Sequence, residues 1–253
     1  MRVSQEPAYV LHRHDYGETS LLLEIFSRRY GRLGVIAKGA RRARSPLRSA
    51  LMAFQPLMIG FSGRGELPTM TAVESAGTAP EIVGEALYCG FYLNELLLRL
   101  LHRHDPHERL YESYREALDR LGGHQNMETT LRVCEKRLLE DVGFGLVLDH
   151  DVHDGSPIQA GIQYRYIPER GPVPVQQADG EGIAVQGASL LALALERLDD
   201  ARELHEVKHL MRALLARHLG ERPLISRSLF RPRSVQNALE YPLTGNAAER
   251  IKL

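Results

Sequence analysis

The apolar residues of this chain change their period near residue 80, and that switch limits what the chain can fold into. Before it, short apolar runs alternate with period two and are broken by glycine-containing turns, as strands require. After it, apolar residues recur at i, i+3, i+4 and i+7, as helices require. Strands followed by helices, not interleaved with them, predict an α+β protein. At 253 residues there is room for two ordinary domains. We expect a strand-built unit over 1–80, a helical unit over 81–240 and a flexible tail over 241–253.

In the first unit the expected strands are Ala8–Leu11, Ser20–Ser27, Arg32–Lys38, Leu51–Phe61 and Leu67–Glu74. His12–Ser20 (HRHDYGETS) reads as a polar turn and Arg28–Gly31 as a hairpin turn. Pro56 marks a bulge or an edge within the fourth strand. About five short strands in 80 residues fit a small closed barrel, and the OB-fold is the common barrel of that size that binds nucleic acid. In the second unit the expected helices are Glu81–Arg103, His107–Leu121, Met127–Val142, Ser189–Leu198 and Glu203–Leu219. A Gly-, Pro- and Asp-rich excursion at 149–182 carries one expected hairpin, Ile162–Val175.

The charge is zero overall but unevenly spread. Residues 1–80 hold 11 Lys and Arg against 6 Asp and Glu. Between Ile25 and Gly65 stand nine bases: Arg28, Arg29, Arg32, Lys38, Arg41, Arg42, Arg44, Arg48 and Arg64. That span has no Asp or Glu. A one-sign patch on a strand-rich unit is the electrostatic footprint of a polyanion-binding surface. Arginines neutralise phosphates, and nearby aromatics (Phe26, Tyr30, Phe54, Phe61) are either barrel core or platforms on which bases stack, with core the favoured assignment. No base-reading motif is visible, so binding should follow backbone charge and depend steeply on salt.

Other chemistry finds little support. Cys89 and Cys134 lie in apolar segments and read as buried free thiols. The pentapeptide LHRHD occurs at 11–15 and again at 101–105, and Asp149, His150, Asp151, His153 and Asp154 cluster in one loop. Neither has the spacing of an ordinary metal site, so no metal and no cofactor are expected. No G-x-S-x-G or P-loop is present. A metal-dependent phosphodiesterase built on the His and Asp clusters stays as the enzymatic alternative, and a non-catalytic adaptor whose basic loop docks an acidic protein as the structural one. The N-terminus lacks an apolar signal region and no run reaches membrane-spanning length, which predicts a cytoplasmic protein.

With these residues laid out, the chain resembles the RecO family of bacterial recombination mediators. The likeness is densest in residues 8–42 and 47–67, notably Glu18-Thr19-Ser20, Ala37-Lys38-Gly39-Ala40-Arg41 and Gly63-Arg64-Gly65-Glu66. It continues in Leu87–Arg99, Leu138–Gly145 and Ser226–Phe230. The resemblance implies an OB-fold followed by a helical bundle and a non-catalytic role in DNA repair at the bacterial nucleoid. It implies binding of single- and double-stranded DNA and annealing of complementary strands. Its implied partners are RecR, the acidic C-terminal tail of single-stranded DNA-binding protein (SSB) and, functionally, RecA. Some members carry a four-cysteine zinc module, which the His/Asp loop here does not reproduce. An acidic tail ending in an apolar residue needs an apolar groove with a cationic rim. Arg132, Lys136 and Arg137, beside Leu139 and Val142 on the third expected helix, are the candidates for it.

Overall fold

The structure, a computed structural model, describes residues 2–229, the side chains of 227 and 229 excepted. The expected tail at 241–253 and Phe230 of the Ser226–Phe230 motif lie outside the described residues.

Five strands close a barrel: β1 (Arg2–Tyr16), β2 (Ser20–Ser27), β3 (Gly31–Ala37), β4 (Leu57–Ser62) and β5 (Thr69–Ser75), in the order β1-β2-β3-β5-β4 with β4 returning to β1. All pairings are antiparallel except β3 with β5, whose parallel seam rests on Ile36 opposite Thr69. A short helix α1 (Leu47–Ala50) lies between the third and fourth strands. This is the expected OB-fold. Leu21, Leu23 and Ile25 of β2 and Leu33, Val35 and Ala37 of β3 alternate into the barrel, as their period of two dictates.

Two strands differ from expectation. β1 is 15 residues long, not four, because it serves two neighbours. Its first half pairs with β4, its second half with β2, and Ala8 pairs with both. His12–Tyr16 is therefore strand; its polar residues sit on a hairpin whose end leaves the barrel. A bulge falls at Leu11, between the pairs Val10–Ile25 and His12–Glu24, and re-aims the side chains beyond it. The expected strand Leu51–Phe61 begins only at Leu57, directly after Pro56. Before it, Leu51 and Phe54 are buried in irregular chain, and the Phe54 ring packs on Gly90, where a Cβ would lie 2.8 Å from it.

The helices are α2 (Glu85–Leu100), α3 (Glu108–Gly122), α4 (Met127–Asp141), α5 (Gly187–Ala194), α6 (Ala201–Leu219) and α7 (Ser226–Leu229). α2 is shorter than expected, since the chain turns extended at Leu101 and Arg103 bridges to Arg32 of β3. The excursion forms a three-stranded sheet ordered β7-β6-β8, from β6 (Gln163–Ile167), β7 (Gly171–Pro174) and β8 (Ile183–Gln186). β6 and β7 are the expected hairpin; β8 is an addition.

Tyr9, Leu11 and Phe26 point out of the barrel and join the helical core instead. Tyr9 meets Tyr114 edge-on at 5.2 Å between ring centroids. Gly31, at φ +63°, is held against the backbone of Asp105, where any Cβ would collide with the carbonyl oxygen at 1.8 Å. The barrel end that carries the 28–30 turn is thus fixed against the helices, and the opposite end is left open.

Candidate nucleic-acid interface

The nine bases of the cationic span do not form one patch. They divide between the two barrel ends. Arg28, at the helical end, approaches Glu108 at 3.6 Å and Glu112 at 3.3 Å on α3. Arg29 donates through its backbone N–H and its Nε to the two oxygens of fully buried Glu6, each at 2.7 Å. Arg32 donates through Nε to Glu24 at 3.0 Å and through Nη1 to the carbonyls of Leu98 and Leu101. The span has no carboxylate of its own, but β1, β2 and α3 bring Glu6, Glu24, Glu108 and Glu112 to these three. Arg28 and Arg32 join barrel to helices, Arg29 ties the 28–30 turn back to β1, and all three are paired with carboxylates at the end of the barrel away from the cationic loop.

The other six stand at the open end. Leu21 pairs with Ala37, Ile36 with Thr69, and Thr69 with Ser62, so the loops 17–19, 38–46 and 63–68 emerge together. Lys38, Arg42, Arg44, Arg48 and Arg64 are exposed there and enter none of the ion pairs among the described residues. Arg41 holds the loop in place. It donates to the Gly17 carbonyl at 2.9 Å, pairs with Asp15 at 2.9 Å, and its N–H bonds to the Thr19 carbonyl.

Two further cations belong to this end. Arg13 donates to the Leu51 carbonyl at 3.3 Å, which sets it beside α1; burial, and then the nearby Arg48 charge, lower its pKa. Arg2 pairs in register with Ser62. The signal that would have found Arg13 is the long β1, which places it on a strand and not in a turn. Eight cations against Asp15, Glu18 and Glu66 leave a strongly positive surface, able to neutralise a run of phosphates.

Phe26, Phe54 and Phe61 are buried and are not stacking platforms, and half-buried Tyr30 lies edge-on against Phe61 at 5.6 Å. Tyr16, on the stretch expected to be a turn, is 44% exposed.

The candidate tail groove on α4 is not a rim. α4 packs against α2, α3 and α6, and its cations face inward. Arg132 is buried and pairs with Glu135 at 2.9 Å. Lys136 is buried between Glu140 at 3.2 Å and Glu196 at 3.1 Å. Arg137 pairs with Glu196 and with Glu116 at 2.7 Å, which raises its pKa. Leu139 is core, and Val142 is half-buried. A cavity of about 160 Å3 lies nearby, lined by apolar Leu139, Phe144, Val147 and Leu214 and by charged Glu169, Arg170 and Arg217.

The His and Asp clusters are structural. Buried Asp151 accepts from the N–H groups of His153 and Asp154 and shapes its loop, while Asp149 holds His150. Among the described residues no group of three or more His, Cys, Asp or Glu is placed to hold a metal. Burial pushes the Cys89 thiol up to about 11 and the Cys134 thiol to about 12. Among the described residues no helix is long and apolar enough to cross a membrane.

Two family models match. "Recombination protein O N terminal" matches residues 1–79 and "Recombination protein O C terminal" matches residues 83–228. The chain is 48% identical over 229 residues to the "DNA repair protein RecO" of Nitrosococcus oceani, covering 90% of this chain and 93% of that one. It is 48% identical over 233 residues to the protein of the same name in Methylococcus capsulatus, covering 92% and 95%. For that of Dechloromonas aromatica the figures are 45% over 233 residues, covering 91% and 96%.

Proposed function

The chain belongs to the recombination protein O family of DNA repair proteins, and from that footing we propose that it is a non-catalytic DNA-binding mediator. It holds phosphates of single- and double-stranded DNA at the open barrel end, speeds annealing of complementary strands and, with RecR, helps load RecA onto SSB-coated single strands. The observation that carries this is the group of five exposed, unpaired cations: Lys38, Arg42, Arg44, Arg48 and Arg64. Neutralising two strands at one surface lowers the repulsion between them, which is what annealing requires. No base-reading geometry is involved, so the surface accepts any sequence.

For the SSB tail we propose the cavity that Leu139 of α4 helps to line. Leu139, Phe144, Val147 and Leu214 would take the apolar residue; Glu169 also lines the cavity and pairs with Arg217 at 3.3 Å, which leaves Arg170 as the cation for the free carboxylate.

The test is fluorescence anisotropy of a labelled unstructured single strand, titrated at several salt concentrations. The triple variant Arg42/Arg44/Arg48→Ala should lower the slope of log affinity against log salt by about 2, since each phosphate contact on a single strand contributes about 0.7. Its annealing rate should fall with it. An unchanged slope and annealing rate would remove DNA binding from this surface. If only binding to a protein partner were lost, the loop would be an adaptor for an acidic surface.

A further inference from the structure

The two faces of the β1–β2 hairpin present different chemistry. Past the bulge at Leu11, Arg13 and Asp15 turn toward α1 and the cationic loop, where they meet Leu51 and Arg41. His12, His14 and Tyr16 turn the other way, onto the outer face of the barrel. His14 is opposite Leu22, and Leu22 is opposite Ile36, so one row crosses three strands. Tyr16, opposite Ser20, stands one step beyond it. All three residues of the row are half-buried, and Tyr16 is exposed. Leu67 leans over Gly34 from the 63–68 loop, within 2.8 Å of where a Cβ would be. Lys38, the first residue past the end of β3, borders this surface on one side. Arg103 borders it on the other, sharing Glu24 with Arg32, so two guanidinium groups face one carboxylate.

Further along, the same outer face is covered: Tyr9, Leu11 and Phe26 are packed under Tyr111 and Tyr114. What remains open is an aromatic and apolar strip between cations, next to the phosphate-binding loop across the hairpin. We propose that this strip is a second, distinct subsite that takes the unpaired bases of single-stranded DNA, with Tyr16 as the stacking platform. The inference rests on the DNA-binding reading above. Charge complementarity selects the occupant: a flat apolar ligand that enters between Lys38 and Arg103 carries anionic groups at its margins, as a nucleotide does. Bases in a duplex are paired and stacked and cannot reach the strip. The cationic loop therefore serves either form of DNA, and the Tyr16 face serves only single strands.

The experiment compares an oligothymidine, an abasic oligonucleotide of equal length and a duplex, all binding to the full chain at one salt concentration. Tyr16→Ala should weaken oligothymidine binding about five- to 150-fold, the range that stacking one base is worth. It should leave the abasic and duplex affinities unchanged, and Tyr16→Phe should bind like wild type. The chain has no tryptophan, so Tyr16→Trp introduces a single indole. Its emission should be quenched by oligothymidine and not by the abasic strand.

Unchanged oligothymidine affinity in Tyr16→Ala, or equal losses on all three ligands, would overturn the subsite while leaving the phosphate surface standing. Equal quenching by both single strands would do the same. A wild-type protein that bound none of the three ligands would overturn both readings. A Tyr16 effect alongside an unchanged salt slope in the Arg42/Arg44/Arg48→Ala variant would overturn the loop alone.

Discussion

Asn94 on α2 donates from Nδ2 to the carbonyl oxygen of Leu11 at 2.9 Å, joining residues 83 positions apart. Leu11 is the bulge residue of β1, left without a partner in the β1–β2 register. The barrel's irregularity is thus satisfied by the helical unit. Tyr114 completes the joint by donating its hydroxyl to Asn94 Oδ1 at 2.6 Å.

Asn94→Ala leaves a buried carbonyl and a buried hydroxyl without partners, at about 1–3 kcal/mol each. The expected loss is about 2–6 kcal/mol, read as a lower midpoint in urea unfolding. Tyr114→Phe strands only the Asn94 oxygen and should cost less. A midpoint for Asn94→Ala equal to wild type would mean that the joint does not hold barrel to helices.

The split of the cationic span predicts that stability and DNA binding can be separated by mutation. Glu24→Ala leaves Arg32, only 20% exposed at its side chain, without its carboxylate. Breaking such a pair from one side costs about 3–5 kcal/mol. Arg103→Ala should cost less, because Arg32 still covers Glu24. Arg32→Ala should lower the melting temperature and leave the salt slope of DNA binding unchanged, the reverse of Arg42/Arg44/Arg48→Ala. Equal effects of the two on slope would put Arg32 back on the DNA surface.

How far residues alone could go is shown by the same arginines. Period and turn residues were enough for the barrel and the main helices, because Leu21, Leu23, Ile25 and Leu33, Val35, Ala37 each obey a local rule. The pairing of Arg29 with Glu6 and of Arg32 with Glu24 was out of reach. It depends on which strands become neighbours, and a cation looks the same in sequence whether it meets phosphate or a buried carboxylate. Tyr16 was hidden for a related reason. A strand that leaves its barrel loses the apolar alternation by which strands are found, so its polar end reads as a turn. α4 misled in the opposite sense. Arg132, Lys136 and Arg137 look like a solvated face, and only packing by α3 and α6 shows them turned onto Glu116, Glu135 and Glu196.

Those inward ion pairs should control acid stability. Burial alone would raise the Glu196 pKa, but hydrogen bonds from Arg137 and Lys136 outweigh it and lower the value below 4.5. Arg137 likewise lowers Glu116. A carboxylate depressed in the folded state contributes stability above its unfolded pKa, and that contribution is lost as pH falls through the folded one. Arg137→Ala should therefore unfold more easily at pH 7 and show a flatter decline below about pH 4.5. It should bind an acidic peptide ending in phenylalanine as wild type does. Weaker peptide binding at unchanged stability would return the tail site to α4.

His12 sets a second acid window. Its ring lies edge-on to His14 at 4.2 Å between centroids, and its Nε2 is buried without a hydrogen-bond partner. Burial first, and then the His14 and Arg13 charges, push its pKa from 6.5 down to about 4 against the opposing pull of Glu24. The unfolded chain then binds a proton that the folded chain refuses. Stability is full above pH 6.5 and is lost as pH falls from 6.5 to 4, by up to about 3 kcal/mol. His12→Phe keeps a ring of similar size and removes the titration. Relative to wild type, its unfolding free energy should stay level across that window, and the two curves should diverge by one proton per molecule. Parallel curves from pH 6.5 to 4 would show that His12 takes up its proton as readily folded as unfolded.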